Sequence, residues 1–251
     1  MGKHVNMSLP KRLVLLLCCC IPLLGQAAEE YGNDPRDPWE GFNRAVFEFN
    51  DVADRYVAAP VARTYKKVTP DLVDQGIENV FNNVGEVKNF ANDLLQGKPG
   101  DALVDFSRFL INTTVGVLGI FDVAGKIGLE RQSEDFGQTL GYWGAGSGPY
   151  LMLPFLGPST PRHFTGFVTD GFALPSAWDE VESPEVYYAR ALQIVDRRAD
   201  LIPAESFISG DSYVFVRNAF LQRREFLIND GKVVNDPFAS DDDEDLMLDD
   251  F

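Results

Sequence analysis

The sequence predicts a mostly α-helical protein, in one domain, interrupted by one long irregular segment. Three observations carry this. Apolar residues recur at spacings of 3 and 4 through several stretches, which places them on one helix face. Alternation at period 2, the mark of a half-buried strand, is scarce. From Gly141 to Pro175, seven glycines interleave with five prolines, an ordered-loop composition with several aromatics. The chain has 251 residues with 45% hydrophobic and 24% charged, a globular balance.

Residues 1–27 read as a signal peptide. Lys11 and Arg12 precede an apolar run, Leu13 to Leu24, of 12 residues. A bilayer span needs roughly 20. Gly25 and Ala27 supply the small residues of a cleavage site, giving a mature start at Ala28. All three cysteines, Cys18, Cys19 and Cys20, fall inside this segment. Cleavage after Ala27 leaves no cysteine, hence no disulfide and no Cys-bound metal. Acylation of a cysteine, with Cys20 as the candidate lipidation site, is the competing reading and would anchor the chain to a membrane.

Residues 28–36 form a linker, and a helical domain covers 37–235. In the first helix Asp37 is read as N-cap, Pro38 as the first helical position and Glu40 as the partner in a capping box. Trp39, Phe42, Val46, Phe49, Ala53 and Tyr56 then make one apolar stripe, ending before Pro60. The second helix carries Val73, Ile77, Val80, Val84, Val87, Ala91 and Leu94, with Gly97 and Pro99 as its stop. A normal core suffices to explain that stripe. A third helix opens at Asp101, apolar on more than one face through Phe106, Phe109 and the run Val115–Phe121. Gly116 and Gly119 predict a break or bent hairpin there. Two further helices cover about 184–199 and the stretch from near Ser212 to Leu227. Residues 236–251 hold eight acids and no base, an acidic tail of the solvated kind.

Charge excludes some partners. The chain carries 38 acidic and 22 basic residues, net −16. Nucleic acid needs clustered Lys and Arg, so none is expected. Charge does not hold this surface on anionic lipid either. Catalytic and cofactor motifs are equally poor. His163 is the only histidine after the signal, so a hydrolase would need it with Ser147, which sits in Gly-Ser-Gly rather than Gly-x-Ser-x-Gly. The glycine run lacks dinucleotide spacing, Gly125-Lys126 lacks the rest of a phosphate loop, and no metal or cofactor is expected. What remains is apolar surface: broad Phe-rich stripes that either pack a core or lie in a bilayer face.

The residues resemble a known family. Asp37-Pro38-Trp39-Glu40-Gly41-Phe42-Asn43-Arg44 is similar to the opening of the MlaA/VacJ proteins of Gram-negative bacteria. So are Phe106–Thr113, Gly119–Ala124, Phe136–Gly141, Gly148-Pro149-Tyr150 with Leu153-Pro154, and Gly157–Thr160, over about residues 34–230 in the same order. The resemblance implies a ring-like, all-α arrangement of amphipathic helices in the inner leaflet of the outer membrane, on its periplasmic side, around an amphipathic channel. It implies association with a trimeric porin. It implies removal of mislocalised phospholipid from the outer leaflet and delivery to a periplasmic lipid-carrier protein, without enzymatic chemistry. Phe42, Phe49, Phe106, Phe109, Leu118, Ile120 and Phe121 are the expected channel or lipid-contacting residues, the last three influencing channel opening; a buried hairpin without a gating role is the other reading of 115–121. The sequence departs from the family in lacking a regular lipid-attachment box and in placing His163 after Arg162. A soluble periplasmic lipid-binding carrier is the alternative function.

Overall fold

A computed structural model describes residues 34–172 and 184–232. The signal peptide, Cys20, most of the linker and the acidic tail lie outside the described residues.

Helices dominate. In chain order they are α1 (Glu40–Ala53), α2 (Ala59–Val68), α3 (Asp71–Gln96), α4 (Pro99–Thr114), the single turn α5 (Val123–Lys126), α6 (Phe136–Tyr142), α7 (Pro161–Phe172), α8 (Glu185–Asp200) and α9 (Ser212–Ile228). A two-stranded antiparallel hairpin, β1 (Leu151–Leu153) and β2 (Gly157–Ser159), pairs Leu151 with Ser159. The fold class is therefore the all-α one that the spacing predicts.

Three expectations are corrected. The capping box at Asp37 does not form: α1 begins at Glu40, with Trp39 at the cap position and no side-chain cap. The Asp37 carboxylate instead accepts from Asn43 (2.7 Å), Arg217 (3.0 Å) and the Tyr213 hydroxyl. A buried cation and a phenol are stronger partners than a terminal backbone N–H. The first helix also does not end before Pro60. A π-helical turn over Asp54–Ala58, directly before Pro60, carries it into α2, as is usual where a proline interrupts the backbone ladder of a continuous helix. Within the glycine-rich segment the sequence reading missed α7. Gly166 reads as a loop residue, yet its role is packing: a Cβ there would stand 2.2 Å from the Gly137 backbone nitrogen, so α6 and α7 touch backbone to backbone.

The apolar core is small. Tyr150, Met152 and Tyr213 are fully buried, with Val46, Phe47, Val214, Val216, Phe220 and Leu221 around them. The rings meet edge to face at 5.7–6.1 Å. Two asparagines one heptad apart on α1 hold the hairpin against it. Asn43 donates to the Tyr150 carbonyl (3.1 Å) and accepts from the Met152 N–H (2.8 Å). Asn50 repeats the pattern on Leu153 and Phe155 at 2.9 and 2.8 Å.

Among the described residues, nine buried residues are apolar, five of them alanines, and twenty are polar or charged. That inverts the ordinary distribution.

Candidate functional site

The inversion is sharpest in α3. Its buried residues are Gly76, Asn83, Glu86, Asn89, Asn92, Asp93 and Gln96, on one side at steps of 1, 3 or 7. The stripe from Val73 to Leu94, which the sequence suggests as core, is half-buried or exposed. A normal core therefore does not account for this helix. The reason is hydrogen bonding: antiparallel α4 together with the segment from 120 to 139 supplies partners for the amides and for Glu86, while the buried Asp93 carboxyl faces that of Asp105.

The ladder runs the length of the helix pair. Asn79 Nδ2 donates to the Ile120 carbonyl (3.0 Å), and Asn83 Nδ2 to Thr113 Oγ1 (2.9 Å). Glu86 accepts from Arg108 Nε (2.8 Å). Asn89 donates to the Gln132 carbonyl (2.7 Å) and accepts from the Glu134 N–H (3.1 Å). Asn92 bridges Asp170 and Thr139, and Gln96 bridges Glu134 and Thr139. From α4, Arg108 reaches Asp122 (3.3 Å) and the Leu129 carbonyl, while Asn112 bonds Asp122 (2.9 Å) and the Ala124 N–H (2.9 Å).

Electrostatics follow from this burial. Desolvation raises Asp105 above the ordinary carboxylate range, and neighbouring Asp93 and Glu86 add to it. Asp93 is raised by burial too. Burial alone would raise Asp122, but the Gly125 N–H, Asn112 and Arg108 overcome it and hold it low.

At the end of this ladder the chain turns back between α4 and α5. Val117 and Leu118 adopt left-handed backbone at φ 55° and 57°, which costs an L-residue other than glycine about 1–2 kcal/mol. Gly116 and Gly119 make the turn possible. A Cβ on Gly116 would lie 2.2 Å from the Phe121 carbonyl oxygen, and one on Gly119 would lie 2.7 Å from Asn83 Cβ. The hairpin is tied down by its backbone: Leu118 N–H to Thr113, Gly119 N–H to Asn112 and Phe121 N–H to Gly116. Its apolar side chains are open to the surroundings, although Ile120 also meets α3 at Gly76. Val115, Val117, Leu118, Ile120 and Phe121 are all exposed, Leu118 at 71%.

The predicted lipid-contacting residues fall into two groups. Phe106 and Phe109 lie on α4, and Leu118, Ile120 and Phe121 on the hairpin that follows it in the chain. Phe106 is exposed and stacks at a tilt on Phe90. Phe42 and Phe49 lie instead on α1, where Phe49 meets Phe155 edge to face at 5.1 Å and both rings are exposed. Sequence reasoning missed the amide ladder itself. A signal existed: α3 contains five asparagines and a single lysine, whereas a solvated face mixes Lys and Glu.

The Ser147–His163 pairing does not occur as a hydrogen bond. His163 Nδ1 lies 3.1 Å from Ser159 Oγ, and its ring packs on Phe220. Burial, then the charge of Arg224, pushes the pKa of this imidazole below its ordinary value. Among the described residues no helix is long and apolar enough to cross a membrane. The exposed apolar residues lie on amphipathic helices and on loops such as the 115–121 hairpin.

Comparison with known proteins agrees with this architecture. A family model described as MlaA lipoprotein matches residues 35–227. The "Intermembrane phospholipid transport system lipoprotein MlaA" of Escherichia coli K12 is 37% identical over 203 residues, 78% of this chain and 80% of that one. The protein of the same name from Haemophilus influenzae is 34% identical over 242 residues, 93% of this chain and 96% of that one. A solved structure described as "Structural basis for maintenance of bacterial outer membrane lipid asymmetry" superposes with a TM-score of 0.69 at 35% identity, covering 77% of this chain and 99% of the other.

Proposed function

Because the chain belongs to the MlaA lipoprotein family, we propose that it is the outer-membrane component of a phospholipid transport system, removing mislocalised phospholipid from the outer leaflet. It sits at the periplasmic side in the inner leaflet, its helices arranged as a ring around an amphipathic passage, next to a trimeric porin. It hands lipid to a periplasmic carrier and catalyses no bond change. One observation carries the reading: α3 and α4 bury their amides and carboxylates against each other and turn valine, leucine and phenylalanine outward. Outward apolar faces are stable in acyl chains and costly in water. Phe42, Phe49, Phe106 and Phe109 then contact acyl chains, and Leu118, Ile120 and Phe121 border the passage.

The test is genetic. Deleting the gene raises phospholipid accessible in the outer leaflet, and complementation with the wild-type gene reverses the rise. No change on deletion, with the protein present in wild type, counts against transport. A soluble lipid carrier, by contrast, would leave the membrane fraction without detergent.

A further inference from the structure

A second feature stands apart from the hairpin and the amide ladder. The turn before α1, the loop at 147–149, the start of α7 and the last turns of α9 enclose a cleft of about 690 Å³. That is the size of a small-molecule site. Its walls are mixed. Leu221, Ile228 and three prolines supply apolar surface, while Arg36, Arg162 and Arg224 supply guanidinium groups.

The three arginines differ in how they are neutralised. Arg36 forms a fork on Asp34 at 3.0 and 2.7 Å. Arg224 forms a fork on Asp135 at 2.5 and 2.9 Å, which holds that carboxyl low against its burial. Arg162 has no carboxylate within ion-pair distance among the described residues. Its Nη1 donates to the Ala145 carbonyl at 2.6 Å, and most of its five N–H donors are left over. The one acid in the lining, Glu225, is exposed and acts on Arg36. Gly141 leaves room for this arrangement: a Cβ there would stand 3.2 Å from both Arg162 Nη1 and the Ile228 side chain. Arg162 is half-buried, and burial and the charge of Arg224 both weigh against its cation. A guanidinium with spare donors beside apolar walls matches a phosphate ester in geometry and charge.

We propose that this cleft is a phosphate-ester subsite, in which Arg162 binds the phosphate of a phospholipid headgroup or of a free phosphate and the apolar wall takes the group attached to it. The headgroup source rests on the transport reading above.

Binding to the full chain in detergent micelles tests it, with dihexanoyl phosphatidylglycerol and inorganic phosphate as the probes and ³¹P NMR as the readout. The expected result is saturable lipid binding that R162Q weakens at least tenfold and R162K weakens less, with unchanged melting temperature. I228E, which brings a carboxylate beside Arg162 and leaves the arginine in place, gives the same loss and stands in if R162Q fails to fold. Inorganic phosphate binding as tightly as the lipid, with the same dependence on Arg162, would overturn the headgroup source and establish the free anion. Undiminished binding of both probes in both variants would overturn the subsite. The gene deletion separates the two readings. A lipid phenotype on deletion with undiminished binding in the variants sinks only the subsite; Arg162-dependent binding without a phenotype sinks only transport.

Discussion

Asn43 shows how much one amide can carry here. It is fully buried and satisfies Asp37, the Tyr150 carbonyl and the Met152 N–H at once. Asn43→Ala strands two backbone groups and should cost at least about 2 kcal/mol in chemical unfolding; a change under half of that would mean the β-hairpin is held by its apolar side chains instead. Asp105 makes a prediction of opposite character. Its pKa is raised by burial, so the folded state keeps the proton to higher pH than the unfolded chain does. Its contribution is complete below the ordinary carboxylate pKa and is lost as pH rises toward the raised value. Asp105→Asn, which cannot ionise, should therefore flatten the fall in melting temperature on going from acid to alkaline buffer. Parallel curves for variant and wild type would show that another group sets the slope.

At the level of elements, the sequence located helices well and their faces poorly. The 3,4 periodicity of Val73 to Leu94 gives the extent of α3, because periodicity reports a helix whichever solvent its stripe meets. It cannot report the direction of burial. The amide content of the opposite face can: Asn83, Asn89 and Asn92, with Glu86 between, recur there at steps of three. The hairpin was legible from Gly116 and Gly119, while the left-handed Val117 and Leu118 carry no local signal and are imposed by the ladder beneath. The two faces of α3 should respond oppositely. Asn89→Leu leaves the Gln132 carbonyl and Glu134 N–H unpaired and should destabilise by about 1–3 kcal/mol. Val73→Leu, on the exposed apolar face, should leave stability in detergent within about 0.5 kcal/mol. Equal losses would mean that α3 is packed conventionally. Gly119→Ala meets both a positive φ and Asn83, so it should cost more than about 1 kcal/mol and free the hairpin to proteolysis; wild-type protease resistance would argue against docking on α3.

For the molecule as a whole, apolar exposure runs along α1, α2, α4, the hairpin, α7 and α8, far beyond the scattered apolar residues of a soluble surface. The protein should stay with membranes through a high-salt wash and leave only with detergent, because salt screens charge and leaves hydrophobic contact intact. Release by salt alone would point to a charge-held or soluble protein. The buried amide ladder has a further consequence, for how the chain reaches this state. In water, collapse draws valine and phenylalanine inward first and would roll α3 and α4 onto the wrong faces. Their correct pairing joins residues 22 and 30 positions apart through hydrogen bonds that water competes for. The newly made chain is therefore prone to a compact, inside-out trap, and it must be shielded until an oily surface is at hand to claim its apolar side.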